Sequence, residues 1–444
     1  MNTPSAPIDA RVAASLPEGP PRTLCTDCGV SRTSDPGRCG TACQFIRPDY
    51  AAAEVRVHGR TRDPARGDEL HFGPYRALHR ARLVEPRDGA QWTGITTRIA
   101  ERLLESGAVD AVLAVAPHPD DRWRPLPVIV TEPADMAACR GMRMGYAPLV
   151  ALIEPALAAG HRRLAVVAIP CQVYALRALE AAWKASDELE SLHVIGTPCS
   201  DNTTTENFHA FLERLTDTPD TVSYLEFRAD YHVEMRFDDG GQRLIPFLKL
   251  PLSDLPADFF PTTCRTCVDY TNVLADITVG YMGGEGEQWL IVRNARGEAL
   301  LGLLDGEVAL AEPGSRGKRK GAVSGFIANT ERAAGGLPLR AMPDWARPIV
   351  AWLMPRVGPR GLEFARARVE MKAAECVLHL RRLHPRRMKS MIPAHVWAQV
   401  ERYGIAPRDG EKGLDDDDET SGENGSQHGS QHGSQQGGGK DVGR

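Results

Sequence analysis

The chain has 444 residues, 42% of them hydrophobic and 25% charged, with a formal net charge of −5, enough apolar side chain to build a core without disulfide support. Nothing in it approaches the roughly 20 apolar residues of a membrane span, and the first residues lack the apolar run of a secretory leader, so a cytoplasmic protein with no membrane span is expected. So small an acidic excess speaks against a nucleic-acid partner of the usual basic kind.

Residues 1–22 are rich in Pro and Ala and read as a loose N-terminus, followed by a cysteine-bearing and then charged segment over 23–83. Four cysteines there are spaced Cys25-x2-Cys28-x10-Cys39-x3-Cys43, in a stretch with Gly and Pro and little helical or strand pattern. In a reducing compartment clustered cysteines serve metal or redox chemistry rather than disulfides. A 4Fe-4S cluster takes four Cys thiolates, often with one C-x2-C pair, and a structural zinc ion takes the same donors. Zinc ribbons usually carry two C-x2-C pairs, and the C-x3-C second half here favours the cluster. From Asp49 to Leu83 the chain is charged and turn-rich without clear periodicity.

Residues 84–300 carry alternating patterns. Ile95, Ile99 and Leu103 fall on one face of a helix predicted from Thr93 to Ser106 and stopped by Gly107. A buried strand follows from Ala108, then a helix over Pro148–Ala159, a strand over Arg163–Ile169, a helix over Gln172–Trp183 and a strand over Leu192–Gly196. This alternation predicts an α/β fold with a mostly parallel sheet and flanking helices. A β-hairpin is expected next, Val222–Phe227 and then Tyr231–Phe237, with a turn at Asp238–Gly241 and Arg243–Phe247 returning. Cys171 and Cys199 each lie just past a predicted strand end, the edge where ligands gather in open α/β sheets. With the pair Cys264-x2-Cys267 they form a second set of four, read either as a shared cluster or as buried thiols.

Other signals are plainer. Cys139 and Cys376 have no partners in sequence and read as packed free thiols. Gly89 to Ile95 opens a helix with small residues and hydroxyls, which suits an anion such as a flavin pyrophosphate, although any capped helix looks similar. His118, Asp120 and Asp121 read as a solvated turn, and Gly283 to Gly286 lacks a nicotinamide fingerprint. A mostly helical region is expected over 301–408, and the acidic, Gly/Ser/Gln/His-rich tail over 409–444 is too polar to fold alone.

Taken in order, "CTDCG", "VHGRTRD", "ELHFGPYRAL", "GAQWTGITTRIAERLLESGAVDAVLAV", "IPCQVYALRALE", "VIGTPCSDNTT", "CVDYTNVLADITVGYMG", "VRNARGEALL" and "VGPRGLEFAR" resemble the beta-subunit family of deazaflavin-dependent hydrogenases and dehydrogenases. Within it they are most similar to the branch of 7-hydroxymethyl chlorophyll a reductase and the ferredoxin-dependent divinyl chlorophyllide 8-vinyl reductase. The resemblance implies an FAD enzyme with two 4Fe-4S clusters that takes electrons from reduced ferredoxin and reduces a chlorophyll-type tetrapyrrole substrate. It places Cys25, Cys28 and Cys43 on an outer cluster, with Cys39 supplying the ligand missing at Ser31, and Cys171, Cys199, Cys264 and Cys267 on an inner one. FAD would lie against Gln91, Trp92, Thr93 and Gly94 and against the Leu274–Gly280 stretch with Asp276 and Gly280.

The short join from Gly280 to Asn294 lacks an insertion associated with the plant hydroxymethyl reductase, which tilts the expectation to 8-vinyl reduction. Ser31 stands where relatives carry a third cysteine of the first motif, and Cys39 is extra. Arg140–Pro148, "RGMRMGYAP", replaces the "KGVKPTLSP" of relatives. No His or Tyr stands out by spacing as a proton donor, so the catalytic residues are unassigned. A hydroxymethyl-tetrapyrrole reductase, a deazaflavin oxidoreductase, an electron-transfer subunit of a larger complex and a zinc-stabilised binding module remain open readings, as does a homo-oligomer.

Overall fold

Strands β1 (Ala77–Leu83), β2 (Ala111–His118), β3 (Asp121–Val130), β4 (Arg163–Ala168), β5 (Ser191–Gly196), β9 (Ile277–Gly280), β10 (Gln288–Val292) and β11 (Val308–Ala311) form one sheet in the order β11-β1-β10-β9-β5-β4-β2-β3. The computed structural model describes residues 15–17, 25–280, 282–283 and 286–411. The readings made for residues 1–22, for the tail over 409–444 and for Gly283 to Gly286 therefore lie largely outside the described residues. At the centre β2, β4, β5 and β9 run parallel, as the strand-helix alternation predicts. Antiparallel strands flank them, β3 beside β2 and β10, β1 and β11 beyond β9. Strands β1 and β11 extend the sheet past both ends of the 84–300 segment.

Helices cover both faces, as a parallel centre requires. We label the principal ones α1 (Tyr50–His58), α2 (Ile95–Glu105), α3 (Pro170–Ala185), α4 (Thr205–Leu215), α5 (Ala295–Gly302), α6 (Arg319–Arg332), α7 (Ala346–Val357), α8 (Leu362–Leu383) and α9 (Ala394–Val400). Ile95, Ile99 and Leu103 of α2 are fully buried against Val112, Ala114 and Val128 of the sheet, each such side chain contributing about 1.5–3 kcal/mol. On the opposite face α3 buries Val173, Leu176 and Leu179 with Leu113, Leu164 and Val194. The three segments expected around the hairpin form a separate sheet, β6 (Val222–Phe227), β7 (His232–Phe237) and β8 (Gln242–Pro246). It packs on Phe208, Phe211 and Leu212 of α4.

Two elements lie where no period was legible. Helix α1 is capped by the Asp49 carboxylate, which accepts from the Ala52 amide at 2.9 Å, and ends at Gly59 with φ +76°. Its inward face carries Tyr50, Ala53 and Glu54, with Glu54 bonded to the Arg62 amide at 2.8 Å. An ion-paired carboxylate in place of an apolar residue hides the helical stripe. Strand β1 is likewise half-exposed along most of its length.

Candidate redox site

The residue 25–43 loop rests on the turn Leu149–Leu152. Gly29 has φ +111°, and a Cβ there would stand 2.5 Å from the Ala151 nitrogen, while Val150 donates its amide to the Cys28 carbonyl at 2.9 Å. Gly29→Ala therefore meets backbone on one side and a strained dihedral on the other. We expect it to destabilise the protein by at least about 2 kcal/mol in urea unfolding, and Gly40→Ala, whose added carbon meets nothing within 4 Å, to cost far less.

Cys28 is within electrostatic reach of Cys25, Cys39 and Cys43, and Cys43 of Cys25 and Cys39, so Cys39 joins the first set. Burial pushes the Cys28 thiol up to about 12, and the neighbouring thiols add to the shift. The second set also converges. Cys171 lies in the first turn of α3, Cys199 donates its amide to the Tyr270 carbonyl at 3.1 Å, and Cys267 closes a turn back to Cys264 at 3.1 Å. Cys171 interacts with Cys199, Cys264 and Cys267 and also with Cys28 of the other set. Burial, reinforced by these neighbours, holds the Cys171 and Cys199 thiols well above the usual range, and burial raises Cys264 to about 12 and Cys267 to about 11.

The two sets are stitched together. The Thr26 hydroxyl lies 3.9 Å from Cys171 Sγ, and Gln44 Nε2 lies 3.6 Å from Cys267 Sγ. Beside the second set, buried Lys372 is held by Asp201 at 2.6 Å and by Glu375 at 3.9 Å. Gathered thiols that burial keeps from ionising are the donor chemistry of a thiolate metal centre, because the positive charge of the metal reverses that penalty. Among the described residues no three His, Cys, Asp or Glu side chains stand close enough to hold a single metal ion. All ten cysteines are free thiols. Cys376 is fully buried with its thiol 3.1 Å from the Thr266 carbonyl, and Cys139 packs at the edge of the α2 core, consistent with packing roles.

The six residues proposed for flavin separate into groups. Gln91 and Trp92 are half-buried, and Trp92 borders a cavity of about 370 Å³ between the Pro86–Trp92 loop and strands β6 and β7. Gly94 has φ +89°, and a Cβ there would meet Arg87 and Ala90 at 2.9 Å, so it shapes the loop. Thr93 turns inward, its hydroxyl 3.2 Å from Gln288 Oε1, and the same oxygen accepts from the Ile95 amide at 3.0 Å. Gln288 thus takes part of the donor capacity expected of the α2 N-terminus. Gly280 packs on Pro198, next to Cys199 in sequence; a Cβ there would sit 2.3 Å from the proline ring. Asp276 stands apart: its enclosed carboxylate is bound by Arg177, Arg296, Asn294 and the Val194 amide. These bonds tie α3 and α5 to the sheet.

Two features escaped sequence reasoning. Arg143 lies in the loop that touches the Gly89 turn through Gly141, whose Cβ would be 3.1 Å from Arg143 Nη1 and 3.5 Å from the Gly89 carbonyl. Burial lowers its pKa, with only Cys139 acting the other way, and the buried Nε atoms of Arg87, Arg140 and Arg143 lack hydrogen-bond partners among the described residues. Arg87 and Arg140 pair with Glu101 at 3.6 and 3.0 Å, whereas Arg143 bonds the Met142 and Arg140 carbonyls, a cation suited to an anionic group such as a flavin pyrophosphate. The signal was the cation kept within the "RGMRMGYAP" stretch.

The second feature is Glu226, a carboxylate inside the apolar strand β6. It lines the 370 Å³ cavity with Tyr224, Arg228, Glu234 and Arg236. The Tyr224 hydroxyl donates to it, and Arg236 stacks on the Tyr224 ring at 4.3 Å. Burial raises Glu226 from 4.5 to about 7, helped by Glu234 and opposed by the Tyr224 bond, Arg228 and Arg236. A carboxyl whose folded pKa is raised contributes stability in full below its unfolded pKa and loses it as pH rises through the folded one. Stability is therefore expected to fall by up to about 3 kcal/mol between about pH 5 and pH 8, and Glu226→Gln to flatten that slope in urea titrations.

Comparison with known proteins bears on this site. The description "Coenzyme F420 hydrogenase/dehydrogenase, beta subunit N-term" matches residues 78–154, and its C-terminal counterpart matches residues 161–313. The chain is 36% identical to 7-hydroxymethyl chlorophyll a reductase, chloroplastic, of Oryza sativa subsp. japonica over 88% of this chain and 85% of that protein. It belongs to the coenzyme F420 hydrogenase/dehydrogenase beta-subunit family.

This is the family expected from the motifs. An uncharacterized protein of Nostoc sp. is 34% identical over 87% of this chain and 95% of its own length. A component of the F(420)H(2) dehydrogenase of Methanosarcina mazei is 27% identical over 50% of this chain and 62% of its own length. A chain of the F420-reducing [NiFe] hydrogenase complex from Methanosarcina barkeri, 22% identical, superposes with a TM-score of 0.49 over 56% of this chain and 84% of that one. The named family members are oxidoreductases, and electron transfer is the chemistry they share. Among the described residues no helix is long and apolar enough to cross a membrane.

Proposed function

We propose that this family member is an iron-sulfur flavoprotein reductase that passes electrons from reduced ferredoxin to a chlorophyll-type tetrapyrrole, reducing the 8-vinyl group of a divinyl chlorophyllide. The observation that carries the reading is the convergence of two four-cysteine sets into adjoining sites, in a chain 36% identical to a chlorophyll reductase over most of its length. Saturating a vinyl group takes two electrons and two protons. Clusters passing single electrons, and FAD pairing them, would supply the redox chemistry when bound.

The chain's own residues do the rest. Cys25, Cys28, Cys39 and Cys43 would hold the outer 4Fe-4S cluster, with exposed Arg386 and Lys389 near the Arg387 that bonds the Phe45 carbonyl, a basic surround suited to an acidic electron carrier. Cys171, Cys199, Cys264 and Cys267 would hold the inner one. Gln91, Trp92 and Arg143 would bind the flavin, and Gly280 would let the strand approach the inner thiols. Glu226, half protonated near neutral pH and bonded to Tyr224, holds a proton at the wall of the cavity.

A second reading, reduction of a 7-hydroxymethyl tetrapyrrole, is favoured by the name of the rice relative; the short Gly280–Asn294 join favours the vinyl substrate. Anaerobic incubation with reduced ferredoxin and each pigment in turn separates them. The vinyl reading expects turnover of the divinyl pigment at least about tenfold faster, a preference of at least about 1.4 kcal/mol in the transition state. The reverse preference would select the other substrate, and a preparation with neither iron nor flavin would sink both.

A further inference from the structure

Helix α7 presents an apolar face to solvent. Trp345, immediately before it, is 75% exposed, and Ile349, Trp352, Leu353 and Val357 along it are 56%, 59%, 40% and 58% exposed. Their spacing places them on one side, and Ala351 is the helix's only fully buried residue. Two tryptophans and three aliphatic residues on a single outward stripe are far from the scattered apolar residues of an ordinary surface.

Most of the charges around this stripe are cationic. Arg356 stacks on the Trp352 ring at 4.2 Å. A basic loop that begins at Gly314 is fastened to the helix's C-terminal end. β12 (Ser315–Arg316) pairs with β13 (Arg360–Gly361), and Gly317 lies so close to the Gly358 carbonyl that a Cβ would be 2.6 Å from it. Arg316 and Lys318 on that loop and Lys320 in the first turn of α6 are exposed, as is Lys249 on the turn against which α7 packs. Asp344 is the nearest acidic group in sequence, and it pairs with Arg347 at 3.7 Å.

We propose that this face docks on an anionic lipid bilayer, with Trp345 and Trp352 at the headgroup level, the aliphatic side chains below them and the cations on lipid phosphates. Tryptophan beside Arg and Lys on one amphipathic helix is the composition of an interfacial anchor, and anionic lipid adds attraction for each cation. A second copy of the chain fits less well, because a two-fold contact would set one cation cluster against its equal, and the cores of protein interfaces are depleted of charge. The inference goes beyond the reductase reading and stands without it.

Flotation of the full chain with vesicles tests it. The protein is expected to float with phosphatidylcholine vesicles containing phosphatidylglycerol, weakly with phosphatidylcholine alone, and less as salt rises. The Ile349→Glu/Trp352→Glu variant should bind at least about tenfold more weakly. The Lys318→Glu/Lys320→Glu variant should lose about fivefold or more per cation, on anionic vesicles only. Unchanged thermal unfolding would confirm that both variants fold. Failure of the parent protein to float, or equal flotation of both variants, would overturn the proposal. So would a parent dimer that floats with neither lipid and that Ile349→Glu/Trp352→Glu dissociates, since that assigns the face to a second copy.

Discussion

Replacing Cys199 with alanine is expected to halve the iron of the anaerobically isolated protein, from about eight atoms per chain to about four, and to abolish pigment reduction. Cys199 faces Cys264 and Cys267 and lies within reach of Cys171, so its loss leaves three thiols where a cubane needs four ligands. Cys39→Ala tests the outer set independently, because Cys39 interacts with Cys28 and Cys43. Its iron should also fall by about half, with the inner set intact. If Ser31 is the true fourth ligand, Cys39→Ala will keep its iron and Ser31→Ala will lose it. Unchanged iron in Cys199→Ala would remove the inner cluster from the proposal altogether.

Asp276→Ala should produce the largest loss of stability of any single change away from the thiols, about 3–5 kcal/mol in urea unfolding. Burial opposes the charge of Asp276, yet Arg177 and Arg296 outweigh it and hold the carboxyl at about 2. Arg177 is itself enclosed, bonded to Asp276 at 2.8 Å and to Glu180 at 2.7 Å. Removing the carboxylate strands that guanidinium and frees the Val194 amide, which donates to it at 2.8 Å from within the sheet. A cost under about 1 kcal/mol would mean that water enters and solvates the arginine. If Asp276 instead contacts flavin, the variant will keep its stability and lose its yellow colour.

The central strands and helices were legible because each repeats an apolar period over its whole length: β4, β5, α2 and α3 all lie within a few residues of their predicted spans. The thiols were legible too, since strand-end placement of Cys171 and Cys199 follows from the same pattern. The fold's irregular parts were not. Helix α1 replaces an apolar contact by the Glu54–Arg62 pair, and β3 begins in the charged "DDRW" run after the turn that exposes Asp120. Asp121, on that turn, lies 2.9 Å from His209 of α4, a partner 88 residues away. No local pattern announces such a pairing. Nor did any local pattern announce that Asp276 ties two helices to the sheet.

The cross-links from Thr26 to Cys171 and from Gln44 to Cys267 also constrain how the molecule is made. The amino-terminal loop leaves the ribosome more than two hundred residues before Cys267 does, a separation of 223 from Gln44. The turn Leu149–Leu152 is made earlier, but until Cys267 emerges the contact that joins the loop to the second thiol set cannot form. If the proposed clusters form, joining of the two sets should therefore be a late event, and chains truncated before Cys264 should lack the inner one.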